Sequence, residues 1–101
     1  MRLASTEDIP TETGLRVDTD TLRIALFRVD DEIFAIGDRC SHEEASLSEG
    51  DLFDDEVECP KHGSAFDVRT GAVLSLPATD PVPSYNVVVE DDDVYLLLED
   101  Q

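Results

Sequence analysis

Residues 40–62 read CSHEEASLSEGDLFDDEVECPKH. The stretch contains both cysteines and both histidines of the chain, arranged as two pairs: Cys40 with His42, and Cys59 with His62. Each pair brings one thiolate and one imidazole, separated by one residue in the first pair and by two in the second, with residues 43–58 between the pairs. Two short loops could therefore meet around one metal centre. Thiolate and imidazole suit iron–sulfur clusters and zinc alike, so ligand type leaves both open. Spacing separates them better. Structural zinc motifs usually keep about two to four residues between paired cysteines and place the histidines together, whereas cysteine and histidine alternate here. A disulfide between Cys40 and Cys59 is a third reading, and it leaves the histidine spacing to chance.

On either side of this stretch the pattern is that of strands. Upstream, residues 22–29 (LRIALFRV) alternate for four pairs, and a period of two over eight residues predicts a strand. Asp30 and Asp31 then form a tight acidic turn into residues 32–36 (EIFAI), giving an antiparallel hairpin that delivers the chain through Gly37 to Cys40. A briefer alternation starts at Leu15, and residues 1–13 read as an exposed lead-in with a short edge strand near Arg2 to Ala4. Between the two pairs, Leu47, Leu52, Phe53 and Val57 suggest short strands with a turn at Asp54-Asp55, and residues 43–48 could make one helical turn. Beyond His62, residues 66–68 and 72–74 read as a further hairpin about the Arg69-Thr70-Gly71 turn. Pro77, Pro81 and Pro83 mark a rigid, irregular connection. Residues 85–90 and 94–98 form the last hairpin, turning through Asp91, Asp92 and Asp93, and their apolar runs predict central, well-buried strands. The three aspartates lack the alternating spacing of a calcium loop and read as a solvated turn.

The chain has 101 residues, 25 acidic against seven basic, and a net charge of -18. That balance argues against nucleic acid or an anionic membrane surface as a partner. It invites a basic docking surface on a partner; adaptation to a high-salt cytosol is the competing explanation, compatible with a single lysine, Lys61. Residues 1–10 carry no basic apolar leader, and no window approaches the roughly 18 apolar residues of a membrane span, so a cytoplasmic location is expected. No phosphate loop, nucleophile elbow, dinucleotide fingerprint or internal repeat appears.

A 2Fe-2S centre with mixed ligands needs two cysteines on one iron and two histidines on the other, so each loop must supply one of each. C-x-H followed by C-x-x-H does so, and the stretch resembles the signature of Rieske-type iron–sulfur domains, including the Cys59-Pro60-Lys61-His62-Gly63 loop, Phe66-Asp67 and Arg69-Thr70-Gly71. The resemblance implies one 2Fe-2S cluster per chain, held by Cys40, His42, Cys59 and His62, with the imidazoles leaving one ring nitrogen toward solvent. It also implies an all-β fold: residues 1–101 as a single Rieske domain, with an antiparallel sandwich or barrel base (13–36 plus 68–98) and a cluster-binding subdomain (37–67) inserted as a cap. A proline-containing segment, residues 76–83, is the candidate for covering one side of the cluster.

Departures from the family's quinol-oxidising branch bear on potential. That branch ties its two loops with a disulfide; Ala45 and Lys61 occupy the corresponding positions here. It also uses a serine and a tyrosine to hydrogen-bond the cluster sulfurs, and this chain has Ser64 but Phe66. Neutral imidazoles place Rieske potentials at roughly -150 to +300 mV, and the missing hydroxyl with the acidic surface implies the low end. The function implied is that of a monomeric electron carrier, the ferredoxin component of a bacterial ring-hydroxylating dioxygenase system, passing single electrons from a flavin reductase to a terminal oxygenase. Such a carrier has no catalytic site of its own. The competing functions are the small subunit of an assimilatory nitrite reductase, an accessory protein of iron–sulfur cluster assembly, and a zinc-holding interaction module.

Overall fold

In the computed structural model, residues 1–41, 44–61, 63–76, 78 and 80–97 are described. The alternating run predicted over 22–29 is the spine of the molecule. It forms β3 (Arg23–Val29), in a four-stranded antiparallel sheet ordered β2-β3-β4-β8 with β2 (Leu15–Asp18), β4 (Glu32–Gly37) and β8 (Ser84–Tyr85). Because successive side chains of a strand point to opposite faces, β3 feeds two cores at once. Ala25, Phe27 and Val29 enter one, and Ile24 and Leu26 enter the other. Both faces of this sheet are covered, which is why four consecutive residues, Ile24 to Phe27, are fully buried.

The second core is closed by a three-stranded sheet ordered β1-β10-β9, built from β1 (Arg2–Ser5), β9 (Val87–Glu90) and β10 (Asp93–Leu96). The first core is closed by the cap, an antiparallel sheet ordered β5-β6-β7, of β5 (Asp51–Phe53), β6 (Glu56–Glu58) and β7 (Ala65–Asp67). Val57 and Phe66 face each other across β6 and β7 and are fully buried, together with Leu47 and Val68. The layers are therefore sheet, sheet and cap, stacked along β3. Among the described residues no helix is long and apolar enough to cross a membrane.

Three hairpins close through two-residue Asp-Asp loops: Asp30-Asp31 between paired Val29 and Glu32, Asp54-Asp55 between Phe53 and Glu56, and Asp91-Asp92 between Glu90 and Asp93. Asp30, Asp54, Asp91 and Asp92 have positive φ (56, 55, 51 and 67°). Two-residue hairpin loops require such conformations, and aspartate tolerates them better than most side chains. Six of the 25 acidic residues are thus turn residues, four of them at positive φ.

The strands differ from the sequence-based expectation in four places. Within residues 1–13 the edge strand expected near Arg2 to Ala4 is β1, paired with β10, and most side chains are not buried; the departure is that Ala4 and Ile9 enter the second core, so the base begins at Arg2 rather than at residue 13. The hairpin expected over 66–68 and 72–74 is a short one on the free edge of β7: Phe66 bridges Val73, the Asp67 N–H donates to the Ala72 carbonyl and the Leu74 N–H to the Ala65 carbonyl. The helical turn expected over 43–48 is a 3-10 turn at Leu47–Glu49, with Glu43 outside the described residues. The run 85–90 is not one central strand. It breaks at Asn86, with Tyr85 paired to β4 and Val87–Glu90 paired to β10. β9 is an edge strand whose Val89 is 44% exposed, while β10, in the middle of its sheet, buries Val94 and Leu96; Leu98 lies outside the described residues. Asp93, expected in the turn, belongs to β10 and pairs with Arg2 at 3.0 Å.

This division predicts unequal costs for two apolar truncations. Leu26→Ala, at the centre of the second core, should lower stability by about 2–5 kcal/mol in urea unfolding. Val89→Thr should change it by no more than about 0.5 kcal/mol, as an exposed edge position does.

Candidate metal centre

Each cysteine opens a loop that leaves the end of a strand opposite an acidic turn. β4 runs from Glu32, after the Asp30-Asp31 turn, to Gly37 and hands the chain to Cys40; β6 runs from Glu56, after the Asp54-Asp55 turn, to Glu58 and hands it to Cys59. The two loops are built alike. Residues 40–45 are bracketed by the bridge between Arg39 and Ser46, and residues 59–64 by the pair Glu58 and Ala65, so both hold six residues. In both, the cysteine N–H donates to the carbonyl five residues on: Cys40 to Ala45 at 3.0 Å, and Cys59 to Ser64 at 2.7 Å. Both cysteines are buried in the first core and are not joined in a disulfide. The disulfide reading of the sequence is therefore not realised. His42 and His62 lie outside the described residues.

Asp38 fixes the first loop. Its side chain has no exposure, and its carboxylate accepts from Arg23 Nε at 2.7 Å and from the Ser48 N–H at 2.9 Å. The Asp38 N–H donates to the Arg23 carbonyl, and its own carbonyl accepts from the Leu47 N–H at 2.6 Å. Arg23 also donates to Ser46 Oγ. One residue thus fastens the loop to β3 on one side and to the 3-10 turn after it. Burial works to raise the carboxyl's pKa, but hydrogen bonds from Ser48, Arg23 and Ser46 outweigh it and hold the group below its ordinary range.

The second loop depends on Gly50. A Cβ there would lie 2.0 Å from the Glu58 carbonyl oxygen, immediately before Cys59, so only glycine lets the chain pass β6 this closely. Gly63, with φ of 72°, makes the reversal inside that loop.

A segment after β7 then spans both loops. The Ala78 N–H donates to Ser64 Oγ at 2.9 Å, and Ser41 Oγ donates to the Asp80 carbonyl. The Val82 N–H donates to the Gly71 carbonyl, and the Gly37 N–H to that of Pro83. Ala78 and Val82 are buried beside the cysteines, whereas Pro77 and Thr79 lie outside the described residues.

Two buried sulfurs at the first position of two equivalent loops, within one apolar cluster, suit the thiolate half of a mixed-ligand iron–sulfur centre. Among the described residues, no three of His, Cys, Asp and Glu gather as a metal site. A family model for the Rieske [2Fe-2S] domain matches residues 1–86. The chain belongs to the Rieske iron–sulfur family. As a Rieske domain it takes a 2Fe-2S cluster, which excludes the zinc module. Among other Rieske proteins, the ferredoxin subunit of 3-phenylpropionate/cinnamic acid dioxygenase from Escherichia coli K12 is 52% identical over 90 residues, 88% of this chain and 84% of that one. The ferredoxin of carbazole 1,9a-dioxygenase from Nocardioides aromaticivorans IC177 superposes with a TM-score of 0.90 at 35% identity, covering 98% of this chain and 97% of that one. A chain from the complex of reduced oxygenase and oxidized ferredoxin in carbazole 1,9a-dioxygenase gives a TM-score of 0.88 at 39% identity, covering 96% of this chain and 100% of that one.

Sequence reading singled out the cysteines and, in residues 76–83, the segment that contains Ala78, but missed Asp38 and Gly50. Asp38 stands among 25 acidic residues with nothing in the sequence to mark it as buried. Its loss should be costly because Arg23 and the Ser48 N–H would lose their charged acceptor. Asp38→Asn should lower stability by about 2–4 kcal/mol in urea unfolding, below the full cost of breaking a buried pair because Arg23 is partly exposed. The exposed-pair control Asp55→Asn, which removes the partner of Arg69, should cost less than about 1 kcal/mol.

Proposed function

We propose that this Rieske protein is a soluble cytoplasmic ferredoxin that accepts single electrons from a flavin reductase and delivers them to the terminal oxygenase of a ring-hydroxylating dioxygenase system. The observation that carries this reading is 52% identity, over most of both chains, to a protein that is a dioxygenase ferredoxin subunit. Identity at that level to a ferredoxin subunit favours the carrier over the nitrite reductase subunit and the assembly accessory.

The cluster is held by Cys40 and Cys59 on one iron and by His42 and His62 on the other, in a unit spanning residues 37–67 of a single domain. The cysteine assignment is supported by the burial and matched closure of the two loops, and the histidine assignment by the sequence spacing. Bound there, the cluster supplies a one-electron redox couple. The chain's part is to hold the thiolates away from water and to fix both loops before an electron arrives. Asp38, Gly50 and the segment 78–83 do the fixing. A site that does not rearrange exchanges electrons at little cost in reorganisation.

The potential lies toward the low end of the Rieske range. Ala45 and Lys61 preclude a disulfide between the loops, and Phe66, fully buried against Val57, offers no hydroxyl. Ser64 is already engaged, since its Oγ accepts from the Ala78 N–H; its own proton remains to be donated.

Anaerobically prepared protein should be brown and give a rhombic paramagnetic signal after dithionite, and Cys59→Ser should abolish both. The reduced protein should be reoxidised by the oxygenase component of 3-phenylpropionate dioxygenase; a cluster that stays reduced in its presence would refute the acceptor assignment. Phe66→Tyr should raise the midpoint potential by about 40 mV, the one-electron equivalent of a hydrogen bond worth about 1 kcal/mol. Protein film voltammetry reads this directly, and an unchanged potential would remove the missing hydroxyl as a cause.

A further inference from the structure

The charge of this chain is unevenly placed. The loops 30–31 and 54–55 lie side by side: Asp30, Asp54 and Asp55 line one cleft with Arg28 and Arg69. The third loop joins them, because the Thr6 N–H donates to the Asp92 carbonyl and Arg28 donates to the carbonyl of Thr6. All three Asp-Asp loops, with Glu7 and Asp8 beside Thr6, therefore gather at one end. The cysteine loops leave the opposite ends of β4 and β6, roughly 20 and 10 Å of strand away. Around those loops both signs occur: Arg39 pairs with Glu44, and Lys61 follows Pro60.

Beside the second loop the surface changes character. Residues 70–79 contain no charged side chain, in a chain where 32% of residues are charged. Leu74 is 48% and Leu76 75% exposed, and they flank Ser75, whose Oγ accepts from the Ala65 N–H. The Leu74 N–H donates to the Ala65 carbonyl, and Ala78 is tied to Ser64, so this shoulder is fastened to the loop that carries Cys59. The remaining exposed large apolar residues of the described chain stand apart from the loops: Met1 and Leu97 near the termini, Val89 on an edge strand, Phe53 beside the acidic turn Asp54-Asp55.

We propose that the oxygenase docks on the uncharged shoulder at Leu74 and Leu76, through an apolar and weakly charged face of its own, and that the acidic turns take no part in the contact. Electron exchange falls off steeply with distance, so the acceptor must seat against the loops, and the acidic pole points away from them. A strongly basic partner face would be drawn to that pole and would turn the cluster outward. An exposed leucine pair at the edge of the loops gains by being covered, whereas the mixed charges beside it supply only a rim. The acidic loops have a sufficient cause in hairpin geometry. This proposal rests on the carrier reading above.

The test is calorimetric titration of the oxidised proteins with the oxygenase component of 3-phenylpropionate dioxygenase, beside stopped-flow reoxidation. Leu74→Ser combined with Leu76→Ser should weaken binding by at least about tenfold and slow reoxidation equally at limiting oxygenase, with visible spectrum and midpoint potential unchanged. Asp30→Asn, Asp31→Asn and Asp54→Asn together should leave both within about threefold, since asparagine keeps the positive-φ turns. A serine variant that binds as the parent does, or an asparagine variant that loses tenfold, overturns the proposal. Parent protein that holds a cluster yet does not bind the oxygenase overturns it together with the acceptor assignment. A chain with no cluster overturns the carrier reading and this proposal with it, whereas a serine variant that binds as the parent does overturns this proposal alone.

Discussion

A carboxylate with no access to water organises the end of this molecule that carries the two cysteine loops. Asp38 is tolerable there only because Arg23 and the Ser48 N–H both reach its oxygens, and each comes from a different part of the fold. An unpaired buried charge would be prohibitively costly, so the folded state admits one arrangement of β3, the first cysteine loop and the 3-10 turn. The constraint passes onward. Ser46, held by Arg23, is the bridge partner of Arg39 that brackets the loop, and Leu47 sits fully buried in the core shared by both cysteines.

That core explains how a small chain supports two loops with so little regular structure. β3 sends alternate side chains to opposite faces, so one strand anchors both the base sandwich and the cap. The second loop is attached to the first through packing of Val57, Phe66 and Cys59 and through the bridging segment at Ala78 and Asp80. In a chain of this size a bound metal centre would add to the stability that such a core provides.

Much of this was legible in the sequence. The period-two run over 22–29, the Asp-Asp turns and the alternation of cysteine with histidine mark the strand class, the first hairpin and the two cysteine loops. The order of strands in the sheets was not legible, because pairing of β1 with β10 depends on side-chain complementarity across the whole chain. The run 85–90 misled because its apolar residues are shared between two sheets: a break at Asn86 lets Tyr85 serve one and Val87 the other, and no periodicity records that change of partner. Asp38 and Gly50 were invisible for a different reason. Their importance lies in what approaches them, a guanidinium in one case and a carbonyl in the other, and neither neighbour is near in sequence.

The pairing of Arg2 with Tyr95 sets an order on the assembly of the chain. The cysteine loops close between groups five residues apart, and the hairpins that hold them close over two-residue turns, so their loop-closure entropy is small. The outer sheet needs Arg2 to meet Tyr95, the largest sequence separation among the described strand pairs. Local contacts of low sequence separation form ahead of such distant ones. Both cysteine loops precede β10 in the chain, so the contacts that shape them are independent of the pairing that completes the outer sheet.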